Sequence, residues 1–202
     1  QWQARWWDLA AAVTRGSPAV PVVRETNGGL MWSGRAAANL PAGVTVGVSG
    51  ARGQWLADTV LALIPGGRSR PSSQSLVATD LEIGIRKWLI RAEWLQSVFD
   101  VPLSAGPTLD VRLTASSGFT EVRVRPHPRW QAGLRLERLW FSPVIGAAGP
   151  TTWDANVDRV EGTLGFRVNR HVELKGGWQQ NWRTGGRIHK RGLPVVELLS
   201  WF

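Results

Sequence analysis

Apolar residues alternate with charged, polar or small residues along most of this chain. Side chains two positions apart lie on the same face of a β-strand, so this period predicts strands with two different faces. In segment 157–169 one face carries Arg159, Glu161, Thr163, Gly165 and Arg167, and the other carries Val160, Gly162, Leu164, Phe166 and Val168. Several other segments repeat the arrangement, whereas helical periodicity is hard to find. We therefore expect an all-β fold.

The alternation divides into ten predicted strands, each close to the ~9–11 residues with which a tilted strand crosses a bilayer. They are 2–13, 30–40, 44–53, 75–87, 89–99, 114–125, 130–141, 157–169, 172–182 and 194–202. Short connections, at 41–43, 87–88, 126–129 and 170–171, alternate with long ones, at 14–29, 54–74, 100–113, 142–156 and 183–193. This alternation predicts one antiparallel up-and-down transmembrane β-barrel domain over residues 1–202, with tight turns at one end and long loops at the other.

The same alternation fits two opposite placements of the faces. In a soluble sandwich or lipocalin-like barrel, the apolar face forms a packed core and the ionic face meets water. In a transmembrane barrel, the apolar face meets lipid and the ionic face lines the lumen. Tryptophan favours the membrane, because interfacial indole rings anchor a barrel at headgroup depth. Near predicted strand ends lie Trp88, Trp94, Trp130, Trp140, Trp178, Trp182 and Trp201.

Composition narrows the class of protein further. No run of about 18 apolar residues occurs, so a membrane protein of this sequence would cross with strands rather than helices. The first eight residues have neither a basic segment nor an apolar one, and we expect no targeting peptide in them. Cysteine is absent, which excludes disulfides and thiol catalysis. The net charge of +9 is spread as arginine through alternating strands, so nucleic-acid binding is not predicted.

Segment 157–183 and the final Leu198-Leu-Ser-Trp-Phe202 resemble the closing strands of bacterial outer-membrane porin-like barrels. The resemblance implies an outer-membrane location, passive diffusion of solutes, and insertion by the barrel-assembly machinery, which reads the terminal strand. Val196, Leu198 and Phe202 match the outward apolar positions of that insertion signal. Ser200 departs from that signal, and the complete lack of tyrosine departs from the aromatic girdles of these barrels. The partners implied are outer-membrane lipid, lipopolysaccharide and the assembly machinery, with a homo-oligomer or a larger membrane complex as further options.

A lumen of this kind would be lined by opposite charges facing each other across neighbouring strands. The predicted lumen-lining residues are Arg86, Arg91, Arg123, Arg125, Arg135, Arg159, Arg167, Glu82, Glu93, Glu121, Glu137, Glu161 and Glu173. If ten strands make the whole barrel, its interior is narrow and these ladders plug it, which gives a structural or scaffold barrel of a larger envelope complex. If the ten strands are the carboxy-terminal part of a larger barrel, the same wall lines water and favours anions.

Catalytic motifs are weak in this sequence. Barrel enzymes need an acid–His or Ser–His constellation near the outer rim, but His127 and His171 fall in the short turns. Only His189 lies in a long loop, where Asp154 and Asp110 could approach it. We predict no catalytic residue, no metal site and no cofactor, and hence no enzyme.

Overall fold

The computed structural model describes residues 2–3, 6–15, 29–64, 72–102, 112–146, 149–185 and 189–201. The strands are β1 (Trp2–Gln3), β2 (Trp7–Arg15), β3 (Leu30–Leu40), β4 (Val44–Gln54), β5 (Ser73–Ile85), β6 (Trp88–Asp100), β7 (Arg112–His127), β8 (Trp130–Phe141), β9 (Pro143–Gly146), β10 (Gly149–Thr152), β11 (Val157–Arg167), β12 (Val172–Arg183) and β13 (Lys190–Ser200). One short helix, α1 (Asp58–Leu63), lies between β4 and β5. Among the described residues, no helix is long and apolar enough to cross a membrane.

One antiparallel sheet contains every strand except β9 and β10. Its order is β1-β2-β3-β4-β5-β6-β7-β8-β11-β12-β13, so each long strand pairs with its neighbours along the chain. Strands β9 and β10 form a separate hairpin within the connection from β8 to β11. The sheet is open in the described part of the chain, with β1 and β13 at its two edges. The prediction of an all-β, antiparallel up-and-down fold is confirmed.

The two ends of the sheet differ in their connections. At the end called here the turn end, β3 and β4 are joined by Pro41–Gly43, and β5 and β6 by Arg86 and Lys87. Ala42, Gly43 and Arg86 have positive φ, as tight reversals require. A side chain at Gly43 would also collide with the carbonyl oxygen of Gly84. The long connections lie at the opposite end, called the loop end, so the predicted alternation of short and long connections is confirmed.

The outermost strands depart from the predicted bounds. The first long strand begins at Trp7 rather than at residue 2, because Trp2–Gln3 folds back and pairs with β2. The last begins at Lys190 rather than 194 and ends at Ser200, which leaves a last connection of only 184–189. Pairing continues to the loop, where the Arg183 N–H donates to the His189 carbonyl at 2.8 Å.

Pro194 does not interrupt this extension of β13. The Arg183–His189 bond and the Trp201–His171 bond, at 3.0 Å, fix the odd-numbered residues of β13 as those that hydrogen-bond to β12. Position 194 therefore directs its backbone nitrogen toward the free edge, where proline loses no ladder bond within the sheet. Sequence reasoning began this strand at Pro194 and placed segment 183–193, which is rich in Gly and Arg, in the preceding loop.

Candidate pore-lining surface

The two faces of the sheet differ sharply in burial. The apolar face is exposed: Trp32 is 62% exposed, Leu164 54% and Val196 78%. Only Leu61, Ala78 and Val144 are buried hydrophobic residues in the described chain, so there is no packed apolar core. The soluble alternative requires such a core beneath the apolar face. The structure therefore places the aliphatic residues on an open outer surface.

The ionic face is the crowded, concave one. Among its strand residues, Gln74, Ala78, Ser97, Glu121 and Glu173 are buried, whereas only Ser116 is buried on the apolar face. Side chains on this face also reach across an intervening strand. Gln131 on β8, for example, donates a hydrogen bond to Glu173 on β12 across Gly165 of β11. Such contacts over a small residue require a sheet that curves toward its ionic side.

A ladder of ion pairs crosses the middle of this face from β7 to β11. Glu121 is bound by Arg123 and lies 3.7 Å from the Arg135 Nη1 atom. Arg135 also binds Glu137 at 2.9 Å, and its guanidinium stacks 3.8 Å from the centre of the Phe119 ring. The ladder continues to β11, because the Arg159 Nη1 atom lies 3.3 Å from the Glu137 Oε1 atom. The structure thus brings together five of the predicted residues.

A second group of charges lies on β11, β12 and β13. Glu173 accepts two cations, with Arg167 at 3.8 Å and Lys175 at 3.7 Å. Lys175 also reaches Glu197 on β13, at 3.6 Å. Sequence reasoning missed Lys175 and Glu197 as site residues, although both lie at the alternate positions of their strands that form the ionic face.

A third group spans β3 to β6. The Arg91 Nε atom donates to the Glu82 Oε2 atom at 2.7 Å, as the cross-strand pairing predicts. Arg35 and Asp80 were also missed, because they form an ion pair although their strands are not neighbours. The signal that could have indicated this pair is Gly47, which lies between them on β4. Because Gly47 has no side chain, the Arg35 and Asp80 side chains can meet above it.

Not every predicted residue has an ionic partner. Within the described residues, no Lys or Arg lies within ion-pair distance of Glu93 or Glu161, and no carboxylate lies within that distance of Arg86 or Arg125. Arg86 lies in the tight turn after β5 and not in a strand, which ends two residues earlier than predicted. Its position is therefore at the rim of the ionic face.

A groove of about 720 Å³ opens at the turn end of the ionic face. Its charged lining consists of Arg86, Lys87, Arg123, Arg125, Arg135, Lys175, Glu121, Glu161 and Glu173. Six of these residues are cations and three are anions, so the groove carries a net charge of +3. The glutamates at 121 and 173 are already paired, which leaves the excess positive charge mainly on Arg86, Lys87 and Arg125. The groove can hold anions by charge alone.

At the loop end, an aromatic cluster covers the ionic face. Trp153 lies between the rings of Phe99 and Phe141, with centroid distances of 6.0 and 4.7 Å. Trp55 packs edge-on against Phe99 at 5.4 Å. Both indole N–H groups donate to strand carbonyls, Trp55 to Asp100 at 2.9 Å and Trp153 to Thr114 at 3.1 Å. Two loop segments are thereby held against the ionic face.

The histidines form no catalytic constellation in the described residues. Asp154 binds Arg183 at 3.1 Å, and the His189 ring contacts the Arg183 carbonyl oxygen instead. Asp110 lies outside the described residues. His171 is a turn residue, as predicted, and its Nδ1 atom lies 3.0 Å from the carbonyl oxygen of Trp201. Within the described residues, no group of three His, Asp or Glu side chains is placed to hold a metal ion.

The proposed insertion signal lies at the edge of the sheet. Val196 and Leu198 are 78% and 68% exposed on the apolar face of β13. Phe202, the third residue of that signal, lies outside the described residues. Ser200, which departs from the signal, ends the strand on the same face.

Comparison with known proteins identifies the fold. No protein-family model matches the chain, and no curated protein matches it. Among solved structures, a porin aligns with a TM-score of 0.66 at 10% identity, over 99% of this chain and 60% of the porin. OmpT, an outer-membrane protein of Vibrio cholerae, aligns with a TM-score of 0.57 at 8% identity, over 96% of this chain and 64% of OmpT.

A form of OmpT that lacks loop L8 gives a TM-score of 0.53 at 9% identity, over 96% of this chain and 62% of that one. At these identities the likeness shows the fold alone, and the resemblance to porin-like barrels is confirmed at that level. This chain spans about three fifths of the length of the solved structures it matches.

Proposed function

We propose that this chain forms part of the wall of a bacterial outer-membrane barrel through which small solutes, preferentially anions, diffuse passively. One observation carries the proposal: a porin-type sheet exposes its apolar face and curves around its ionic face. An apolar surface of this extent is unfavourable in water and favourable against acyl chains. Barrels of the bacterial outer membrane have an apolar outer surface of this kind, which the bilayer surrounds.

The open edges of the sheet support a wide barrel rather than a ten-stranded one. Unpaired backbone groups are costly in lipid, so a membrane sheet has to close on itself. In the described residues β2 and β13 do not pair with each other. Ten long strands correspond to about 60% of the matched porin, and porins of 16–18 strands enclose a water-filled channel. Closure by further strands would make the ionic face line water.

Anion preference follows from the turn-end groove. Its net charge of +3 raises the local concentration of anions and lowers that of cations. The ladder contributes less to this field, because its three guanidinium groups share two carboxylates and its net charge is only +1. Arg86 and Arg125 are the residues expected to dominate selectivity, while the ladder shapes the wall.

A scaffold barrel with a closed lumen is the second candidate. The aromatic cluster at the loop end favours it, because Trp55 and Trp153 occupy space above the ionic face. In a barrel of only ten strands, that cluster and the ion-pair ladder would fill the interior. We favour the channel because the groove at the turn end remains open.

Conductance of the purified, refolded protein in planar bilayers tests the proposal. Ohmic single-channel steps, with a reversal potential in a KCl gradient that indicates chloride preference, are expected. The double substitution R86Q/R125Q should move the reversal potential toward zero, because the channel loses part of its chloride preference. Silence of a correctly folded barrel would favour the scaffold, and cation preference of the wild type would contradict the anion channel.

We propose no enzymatic role for this chain. The His189 Nδ1 atom lies 3.3 Å from the Arg183 carbonyl oxygen, and within the described residues no carboxylate contacts this ring to form an acid–His pair. Any hydrolytic activity found in a preparation should be unchanged by H189A. Loss of such activity in the variant would assign the loop histidine a catalytic function.

A further inference from the structure

In the described strands, the apolar face carries charged side chains at only one of its two ends. Its strand residues include seven Asp, Glu, Lys or Arg: Arg15, Arg52, Asp100, Arg112, Arg138, Asp158 and Lys190. Each lies within three residues of the loop end of its strand. At the turn end, the same face presents residues such as Trp88, Trp130 and Phe166 and none of these charged types within the described strands.

The loop-end belt, as we call these seven residues, is positively charged. Asp100 is paired with Arg112 at 3.4 Å, and Asp158 with Arg138 at 3.5 Å. In the described part of the chain, Arg15, Arg52 and Lys190 have no carboxylate within ion-pair distance. All five cations are exposed. The belt therefore presents three uncompensated cations to the surroundings of the barrel.

Tryptophan accompanies these cations at the same depth. Trp32 is the register partner of Arg52, and Trp182 is the partner of Lys190. Trp94 and Arg138 lie on either side of Gly118 of β7, which is the register partner of both. Indole rings and basic side chains combine where a protein passes from acyl chains into headgroups. The loop-end belt therefore has the composition of an interface with anionic headgroups.

We propose that the loop-end belt binds the phosphate groups of membrane lipids in the leaflet that surrounds the loop end. The inference rests on the proposed function, because it requires that the apolar face meet lipid. Arginine and lysine bind phosphate by charge-assisted hydrogen bonds. Arg15 on β2 and Arg52 on β4 are separated by one strand, whereas Lys190 on β13 lies near the other edge of the sheet, so the belt would engage more than one lipid molecule.

The belt lies on the apolar face at the loop end, whereas the groove lies on the ionic face at the turn end. A free anion that passes through the lumen meets Arg86 and Arg125 on the ionic face and does not meet the belt. A lipid phosphate has its acyl chains beside exposed aliphatic residues of the apolar face, such as Val48 and Val77, which are 49% exposed. We therefore assign the belt to lipid phosphate and not to a soluble phosphate compound.

Two triple variants, each with three cations removed, distinguish lipid binding at the belt from binding at the ionic face. The belt variant is R15Q/R52Q/K190Q, and the matched control is R86Q/K87Q/R125Q on the ionic face. Native mass spectrometry counts molecules of bisphosphorylated lipid A, or of zwitterionic phosphatidylcholine, that each full-length protein retains in detergent. Each surface cation contributes about fivefold to binding of an anionic membrane lipid, so the belt variant should lose lipid A about a hundredfold.

The control should retain lipid A as the wild type does, and phosphatidylcholine should bind all three proteins equally. Unchanged lipid A retention in the belt variant, or an equal loss in the control, overturns the proposal. Displacement of lipid A by millimolar inorganic phosphate would show a site for free phosphate instead. If the triple variant does not refold, R15Q, R52Q and K190Q are tested singly, each with an expected fivefold loss.

Conductance of the same preparations distinguishes this inference from the proposed function. The belt variant should keep the ion selectivity of the wild type, and the control should lose it. A protein that conducts normally but binds no lipid A refutes only the lipid site. A folded protein that never conducts, yet loses lipid A on the belt substitutions, refutes only the channel.

Discussion

Arg35 on β3 and Asp80 on β5 form a two-pronged ion pair across the strand that separates them. The Nη2 atom donates to the Oδ2 atom at 2.8 Å, and the Nη1 atom binds the other carboxylate oxygen. The pair passes directly over Gly47 of β4. A Cβ atom at position 47 would lie 2.5 Å from the Arg35 Nη2 atom and 2.6 Å from the Asp80 Oδ1 atom. Glycine is therefore the residue that permits this contact.

The substitution G47A should separate the two charged groups and destabilise the folded sheet. We expect a loss of about 1–3 kcal/mol in the free energy of unfolding, because the added methyl group overfills an occupied space. Urea unfolding in lipid vesicles, followed by tryptophan fluorescence, measures it. Gly162 is the matched control, since a Cβ there meets nothing within 4 Å. Equal effects of G47A and G162A would contradict the steric account.

Neutralising one partner of this pair should change ion selectivity in a predictable direction. D80N leaves the Arg35 guanidinium uncompensated on the ionic face, so anion preference should increase. R35Q leaves the Asp80 carboxylate uncompensated and should decrease it. Reversal potentials in a KCl gradient measure both variants. Shifts in the same direction for both would show that the effect comes from altered folding rather than from charge.

Glu121 should contribute more to stability than Glu82, although both are paired with arginine. The Glu121 side chain is 9% exposed and accepts contacts from Arg123 and Arg135, whereas the Glu82 side chain is 46% exposed and binds Arg91. Removing the charge of a buried partner leaves cations without compensation. We expect E121Q to cost about 1–3 kcal/mol in unfolding free energy, and E82Q to cost less than about 1 kcal/mol. The reverse order would be inconsistent with the burial of the ladder.

Removal of the central ring of the aromatic cluster should widen the loop end. Phe99 contacts both Trp55 and Trp153, so F99A releases the two loop segments together. Single-channel conductance is expected to rise by a measurable fraction while selectivity stays the same. F166A is the control, because Phe166 packs against Trp130 on the apolar face, at 4.6 Å. A channel unaffected by F99A would place the narrowest point elsewhere.

The strands could be predicted from sequence because each strand shows its own pattern. Alternation over 157–167 is a local property, and the position of β11 follows from it directly. The same holds for the cross-strand pairing of Glu82 with Arg91, since a short turn fixes the register of neighbouring strands. The positions of tryptophan near strand ends also indicated that the apolar face does not form a packed core, and that face is exposed in the structure.

Contacts that skip a strand could not be predicted in this way. The Arg35–Asp80 pair depends on the curvature of three strands, and curvature is a property of the sheet rather than of any segment. Helix α1 and the hairpin of β9 and β10 were missed because short elements within long loops show too few residues for a period to appear. The start of β13 was missed because segment 183–193 is rich in Gly and Arg, a composition that favours a loop.

The edge position of Pro194 affects how copies of this protein behave before a barrel is complete. An unpaired strand edge is a template on which other chains aggregate, and proline is one of the residues that blunt it. A foreign strand that adds along β13 finds no N–H donor at Pro194, so its own carbonyl at that level is left unsatisfied. The residue therefore penalises edge-to-edge polymerisation of copies of this chain whose β13 edge is still unpaired.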